Sequence, residues 1–173
     1  MLYMVEINPK NVEYLKRFFG KQANICLGDF LDSSQKWKSD LGISSFDVIL
    51  GNPPFQTSKT KSYQGSVGNR TLWNKFLELI FQNKIIKPKG FLGFITPANW
   101  RRPEHELYSL MTRENYMKYL HIYSKKDGLQ KLGAQTRFDL YLIQEGEHKK
   151  KTHIIDELGN KHSMNLKKWP FLP

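Results

Sequence analysis

Asn52-Pro53-Pro54-Phe55 brings together groups that suit one task, the activation of a planar, conjugated amine. The lone pair of such an amine is delocalised into its ring, so the nitrogen is a poor nucleophile. Two acceptors that take hydrogen bonds from both amine hydrogens favour a pyramidal nitrogen and free that lone pair. The Asn52 side-chain carbonyl can be one acceptor and the Pro53 backbone carbonyl the other. The two prolines fix φ and hold that carbonyl rigidly. Phe55 adds a flat face on which a base drawn out of a duplex can stack. The plainer reading is a Pro-Pro turn after a strand. At average residue usage this tetrapeptide arises in roughly one such chain in a thousand, and its place directly after an apolar run lowers that further.

Strands and helices alternate around the motif. Residues 2–7 (LYMVEI) form a short apolar strand, and Asn8-Pro9 supply an N-cap and a first-turn proline. Val12, Leu15, Phe18 and Phe19 follow at helical spacing up to Gly20. Residues 24–27 and 46–50 are two further strands, closed by Gly28-Asp29 and Gly51-Asn52. Residues 56–70 are polar and aperiodic, a long loop that is either a lid or a connector. Leu72, Phe76, Leu79 and Ile80 define a helix, Lys87-Pro88-Lys89-Gly90 a turn, and residues 91–95 a strand. Pro103 opens a helix with Leu107, Leu110 and Met111 inward. Strands near 119–123 and 138–143 predict a late antiparallel hairpin, and beyond Glu145 the chain is polar and basic. Strands that run apolar throughout and alternate with helices predict an α/β fold with a parallel sheet covered on both faces. Ligands then bind beyond the carboxyl ends of the strands, where Glu6, Asp29 and Asn52 lie.

Length and composition fit this fold. The 173 residues, 39% hydrophobic and 13% aromatic, suffice for one globular domain with a core. No apolar run reaches the roughly 20 residues of a membrane helix, and residues 1–7 have neither a basic leader nor a cleavage site. The single Cys26 excludes an internal disulfide and suits a reducing, cytoplasmic setting. The five histidines show no ligand spacing, so no metal is expected. The first 55 residues hold six Lys/Arg and six Asp/Glu; the rest hold 21 and 10 and carry the whole net charge of +11. Phosphate backbones reward such a surface through counterion release, although a basic face kept for solubility reads the same.

From about Val5 to Ile143 the sequence resembles the adenine-specific DNA methyltransferases, most of all those of combined restriction–modification enzymes. The resemblance implies a Rossmann-like sheet that binds S-adenosylmethionine. It also implies methyl transfer to the exocyclic amine of adenine in DNA, with Asn52, Pro53, Pro54 and Phe55 as the catalytic loop. Glu6, with Ile7 beside it, matches the acid that binds the cofactor ribose. Asp29 matches the residue that contacts the cofactor adenine, with Phe30 packing on that ring. Within residues 90–102 (GFLGFITPANWRR), Asn99, Trp100, Arg101 and Arg102 match residues that face the target. In Thr136-Arg137-Phe138-Asp139, Phe138 matches a second face for the flipped base.

The family pattern also places a glycine-rich turn and its strand ahead of the Glu6 strand, typically about 20 residues upstream of the acid. Glu6 is the sixth residue, so the sheet is expected to be incomplete, without its first strand. Three outcomes follow. The flanking strands pair directly, another polypeptide supplies the strand, or the chain is a fragment, which is favoured. Residues 1–145 are then a partial catalytic domain, and 146–173 a basic tail or the start of a recognition region. Rival readings are a non-catalytic nucleic-acid-binding remnant and a methyltransferase acting on RNA adenine or protein glutamine.

Overall fold

The computed structural model describes residues 1–56, 71–147 and 150–168; the expected loop 56–70 lies almost entirely outside them. They fall into two compact units, Met1–Ser45 and Phe46–Pro173.

The first unit has two parallel strands, β1 (Tyr3–Glu6) and β2 (Asn24–Leu27), with Glu6 level with Leu27. Between them α1 (Pro9–Phe19) starts where the Asn8 side chain accepts the Lys10 N–H at 3.0 Å and Pro9 fills the first turn. It ends at Gly20, whose φ of 90° favours a residue without a Cβ. A short helix not foreseen from the sequence, α2 (Lys36–Leu41), follows and buries Trp37.

The second unit is a six-stranded mixed sheet in the order β3-β4-β6-β5-β7-β8. It is built from β3 (Phe46–Gly51), β4 (Ile86–Pro97), β5 (Tyr116–Tyr123), β6 (Phe138–Gln144), β7 (Thr152–Ile155) and β8 (Lys161–Met164). β3 runs parallel to β4, whereas β6 lies between β4 and β5 and is antiparallel to both. The late pair is therefore antiparallel as expected, but it is no appended hairpin. A helix, α5 (Lys125–Leu132), fills the connection and sends β6 into the middle of the sheet. Lys87–Gly90 also departs from a simple turn: the pairing jumps from Phe46–Ile86 to Val48–Phe91, so the segment is a bulge within β4. Within residues 146–173, expected to be a basic tail or the start of a recognition region, β7 and β8 continue the sheet, and Ile154 and Leu166 are buried.

One face of this sheet is closed. Leu92, Phe94, Leu120, Ile122, Tyr141 and Ile143 are buried there, and each of the Leu, Ile and Phe side chains stabilises the fold by about 1.5–3 kcal/mol. α3 (Trp73–Gln82) buries Trp73, Leu77 and Ile80 at positions i, i+4 and i+7; Ile80 belongs to the expected stripe, while Trp73 and Leu77 take the places expected of Leu72 and Phe76. α4 (Glu106–Ser109) and the wider turn Leu110–Glu114 bury Leu107, Tyr108 and Met111.

Among the described residues β1 pairs only with β2, and β3 only with β4. No helix among the described residues is long and apolar enough to cross a membrane.

Candidate active site

In the first unit the carboxyl ends of β1 and β2 are tied together, because the Gly28 N–H donates to the Glu6 carbonyl at 3.0 Å. This sets Glu6 and Asp29 at adjoining strand ends. Glu6 turns one carboxylate oxygen back to accept the Asn8 N–H at 2.7 Å, so its side chain is held beside the start of α1. Asp29 accepts the Leu31 N–H at 2.9 Å, a local Asx turn that orders the exposed acid. Ile7 is exposed and Phe30 half-buried. Phe30 stacks on Trp37 with centroids 5.0 Å apart and planes at 16°. The Trp37 indole N–H donates to the Phe30 carbonyl at 3.2 Å.

In the second unit Asn52 follows directly from β3. Asn52 and Pro54 are exposed, Pro53 is buried and Phe55 half-buried. The loop is closed behind Phe55, whose carbonyl accepts the Leu72 N–H at 3.2 Å, and Gln56 bridges to Thr71. Gly51 is required by close packing, since a Cβ there would lie 2.9 Å from the Phe94 ring.

Strand direction places other groups at the same edge of this sheet. β4 is parallel to β3 and ends at Pro97, which is level with Phe138 at the start of β6; Phe138 is level with Tyr123 at the end of β5. The turn Ala98–Arg101 thus leaves the sheet beside the Asn52 loop. Its side chains divide into two sets. Asn99 and Arg102 are exposed. Trp100, expected to face a target, is fully buried and meets Tyr141 edge-on at 5.9 Å. Arg101, expected to do likewise, turns inward to the buried Asp139, Nε to Oδ2 3.1 Å. The two groups form an ion pair. Burial pushes the Asp139 carboxyl up to about 7, with Arg101 opposing that rise.

Phe138 is also buried, its ring parallel to Tyr123 at 4.4 Å, and Tyr123 stacks in turn on His121 at 4.1 Å. As placed, Phe138 is the inner member of an aromatic stack and not an open platform. Nearby, His105 caps α4 by accepting the Leu107 N–H at Nδ1, stacks on Trp73 at 5.7 Å, and burial lowers its pKa. Among the described residues no group of three His, Cys, Asp or Glu side chains is disposed to hold a metal ion.

Trp37, Thr96 and Tyr141 are absent from the sequence-based set of site residues. The signal for Asp139 lies in alternation: it occupies the same inward phase of β6 as Tyr141 and Ile143.

The model of the Eco57I restriction-modification methylase family matches residues 1–128, from the Glu6 strand through the Asn52 loop to α5. The chain belongs to that family. A relative in Mycoplasma pneumoniae, described as an uncharacterized adenine-specific methylase, is 39% identical over 69 residues, 37% of this chain and 14% of that protein. Among solved structures, the type I restriction enzyme EcoKI M protein superposes with a TM-score of 0.63 at 12% identity, over 89% of this chain and 35% of its own. The type I restriction-modification methyltransferase subunit from Streptococcus thermophilus gives 0.60 at 11% identity, over 96% and 40%. At these identities the likeness is one of fold. The described Eco57I-family chain spans well under half the length of each of these relatives.

Proposed function

We propose that this Eco57I-family chain carries the catalytic loop of a DNA adenine methyltransferase that uses S-adenosylmethionine and serves a restriction–modification system. The observation that carries the reading is Asn52-Pro53-Pro54-Phe55 at the carboxyl end of β3, beside a second strand end that exposes Asn99 and Arg102.

Asn52 accepts one hydrogen of the adenine amine and the Pro53 carbonyl the other, which localises the nitrogen lone pair for attack. Phe55 stacks on the base once it leaves the duplex. The proton released after transfer passes to water, so no side chain of perturbed pKa is needed as a base. Bound S-adenosylmethionine supplies a methyl group made electrophilic by its sulfonium. The first unit suits the adenosine half of that molecule: Glu6 offers a carboxylate for a ribose diol, and Asp29 and Phe30 offer an acceptor and a ring for the adenine. DNA as the partner is supported by the basic residues 56–173. A separate polypeptide pairing with the β1 or β3 edge remains part of the proposal, as does a cytoplasmic setting.

The test is transfer of label from methyl-labelled S-adenosylmethionine to duplex DNA by the full chain, alone and with a polypeptide supplying a further parallel strand. Incorporation that disappears on Asn52→Ala supports the reading. Incorporation into RNA or protein but not DNA sinks the substrate assignment; DNA binding without transfer in every combination favours a non-catalytic remnant.

A further inference from the structure

The two arginines that end the Ala98–Arg101 turn and follow it lie one residue apart, yet their environments are opposite. Asp139 lies level with Thr96 on β4 and Ile122 on β5, and its side chain is completely removed from solvent. Arg101 reaches down to it, 3.1 Å from Nε to Oδ2, and keeps only 18% of its own side chain exposed. Trp100, fully buried, packs beside the same carboxyl group. The turn is fastened at both ends. The Ala98 N–H donates to the Arg137 carbonyl at 3.3 Å and the Arg102 N–H to the Asn99 carbonyl at 3.4 Å. Arg102 is exposed and forms no ion pair among the described residues.

Withdrawing Arg101 towards a phosphate would take away the cation that faces the buried Asp139 carboxyl group and give up the packing of its side chain in the turn, whereas Arg102 changes partners at the cost of water alone. We propose that Asp139 and Arg101 form an internal clamp that shapes this turn so that Arg102, and not Arg101, meets the DNA phosphate backbone. Asp139 and Arg101 are positioning residues acting through the turn. The proposal rests on the DNA reading above.

Equilibrium binding of the full chain to a fluorescein-labelled duplex, measured over a range of salt concentrations, separates these roles. Each phosphate contact contributes about one to the slope of log K against log salt. Arg102→Gln is expected to lower the slope by about one. Arg101→Gln is expected to leave the slope unchanged while weakening binding severalfold at every salt concentration, and the near-isosteric Asp139→Asn to do the same. Combining the last two should weaken binding no further than either alone, because they remove one device. A slope lowered by Arg101→Gln, or multiplicative effects of Arg101→Gln and Asp139→Asn, overturns the clamp. Arg102 is a surface position whose substitution leaves the core intact, so an unchanged slope for Arg102→Gln overturns the proposal even if a clamp variant fails to fold. Wild-type chain that binds no duplex overturns the DNA reading itself, and the clamp with it, and is distinguishable from all of these.

Discussion

Trp37 donates its indole N–H to the Phe30 carbonyl while its ring lies nearly parallel to the Phe30 ring, 5.0 Å away. One buried side chain thereby fixes both the backbone and the ring of the residue next to Asp29. Trp37→Phe keeps the stack and loses the hydrogen bond, an expected cost of about 1 kcal/mol. Trp37→Ala leaves a cavity and should cost about 3–5 kcal/mol. Urea unfolding of the two variants checks both. Binding of S-adenosylhomocysteine by calorimetry should weaken in the same order.

Asp139 predicts an acid-side gain in stability. Its folded pKa of about 7 lies above the ordinary carboxylate value, so the folded state holds a proton that the unfolded chain has released. Its contribution is fully present below about pH 4, falls as pH rises, and is gone above about pH 7. The charged group facing it is Arg101, with Thr96, Trp100 and Tyr141 as its uncharged polar surroundings. Thermal unfolding across that window should show a slope that Asp139→Asn removes.

His105 runs the other way. Burial, and secondarily Arg102, hold its pKa down, while Glu106 opposes them. The neutral ring is the form that accepts the Leu107 N–H and caps α4. Its stabilising contribution is therefore present above about pH 6.5 and is lost as pH falls through the lowered folded value. His105→Asn, which caps without titrating in this range, should flatten that loss. The ring-proton titration by NMR gives the direction directly.

Gly128 admits no side chain. A Cβ there would fall 2.0 Å from the Thr136 carbonyl oxygen and 2.8 Å from that of Ala134, both backbone atoms. Gly128→Ala should cost at least about 1–3 kcal/mol in urea unfolding, although alanine is ordinarily the better helix former.

Much of this was legible in the sequence because it rests on local signals. Asn8-Pro9 set the start of α1, and the apolar runs ending at Glu6, Leu27 and Gly51 are strands whose ends carry the polar residues expected there. What escaped depends on pairing at a distance. The insertion of β6 between β4 and β5 cannot be read from the length of its connection, and α2 is too short and polar to show a helical stripe. Within NWRR the resemblance turns Trp100 and Arg101 towards a target, whereas the buried Asp139, 38 residues later, draws Arg101 inward. Phe138 shows the same limit. The resemblance matches its ring to a face for a flipped base, yet Tyr123 arrives from another strand and occupies that face.

The side of β3 with which no described strand pairs leaves a record that solvent can read. A parallel strand bonded on one side alone presents every second amide to its neighbour and the alternate ones to water. Val48 and Leu50 are themselves 52% and 75% exposed, so side chains give those amides little cover. Deuterium should therefore enter β3 in an every-other-residue pattern, fast and slow along the same six residues, while β6, bonded on both sides, fills late and uniformly. Any strand that came to lie along β3 would erase that alternation.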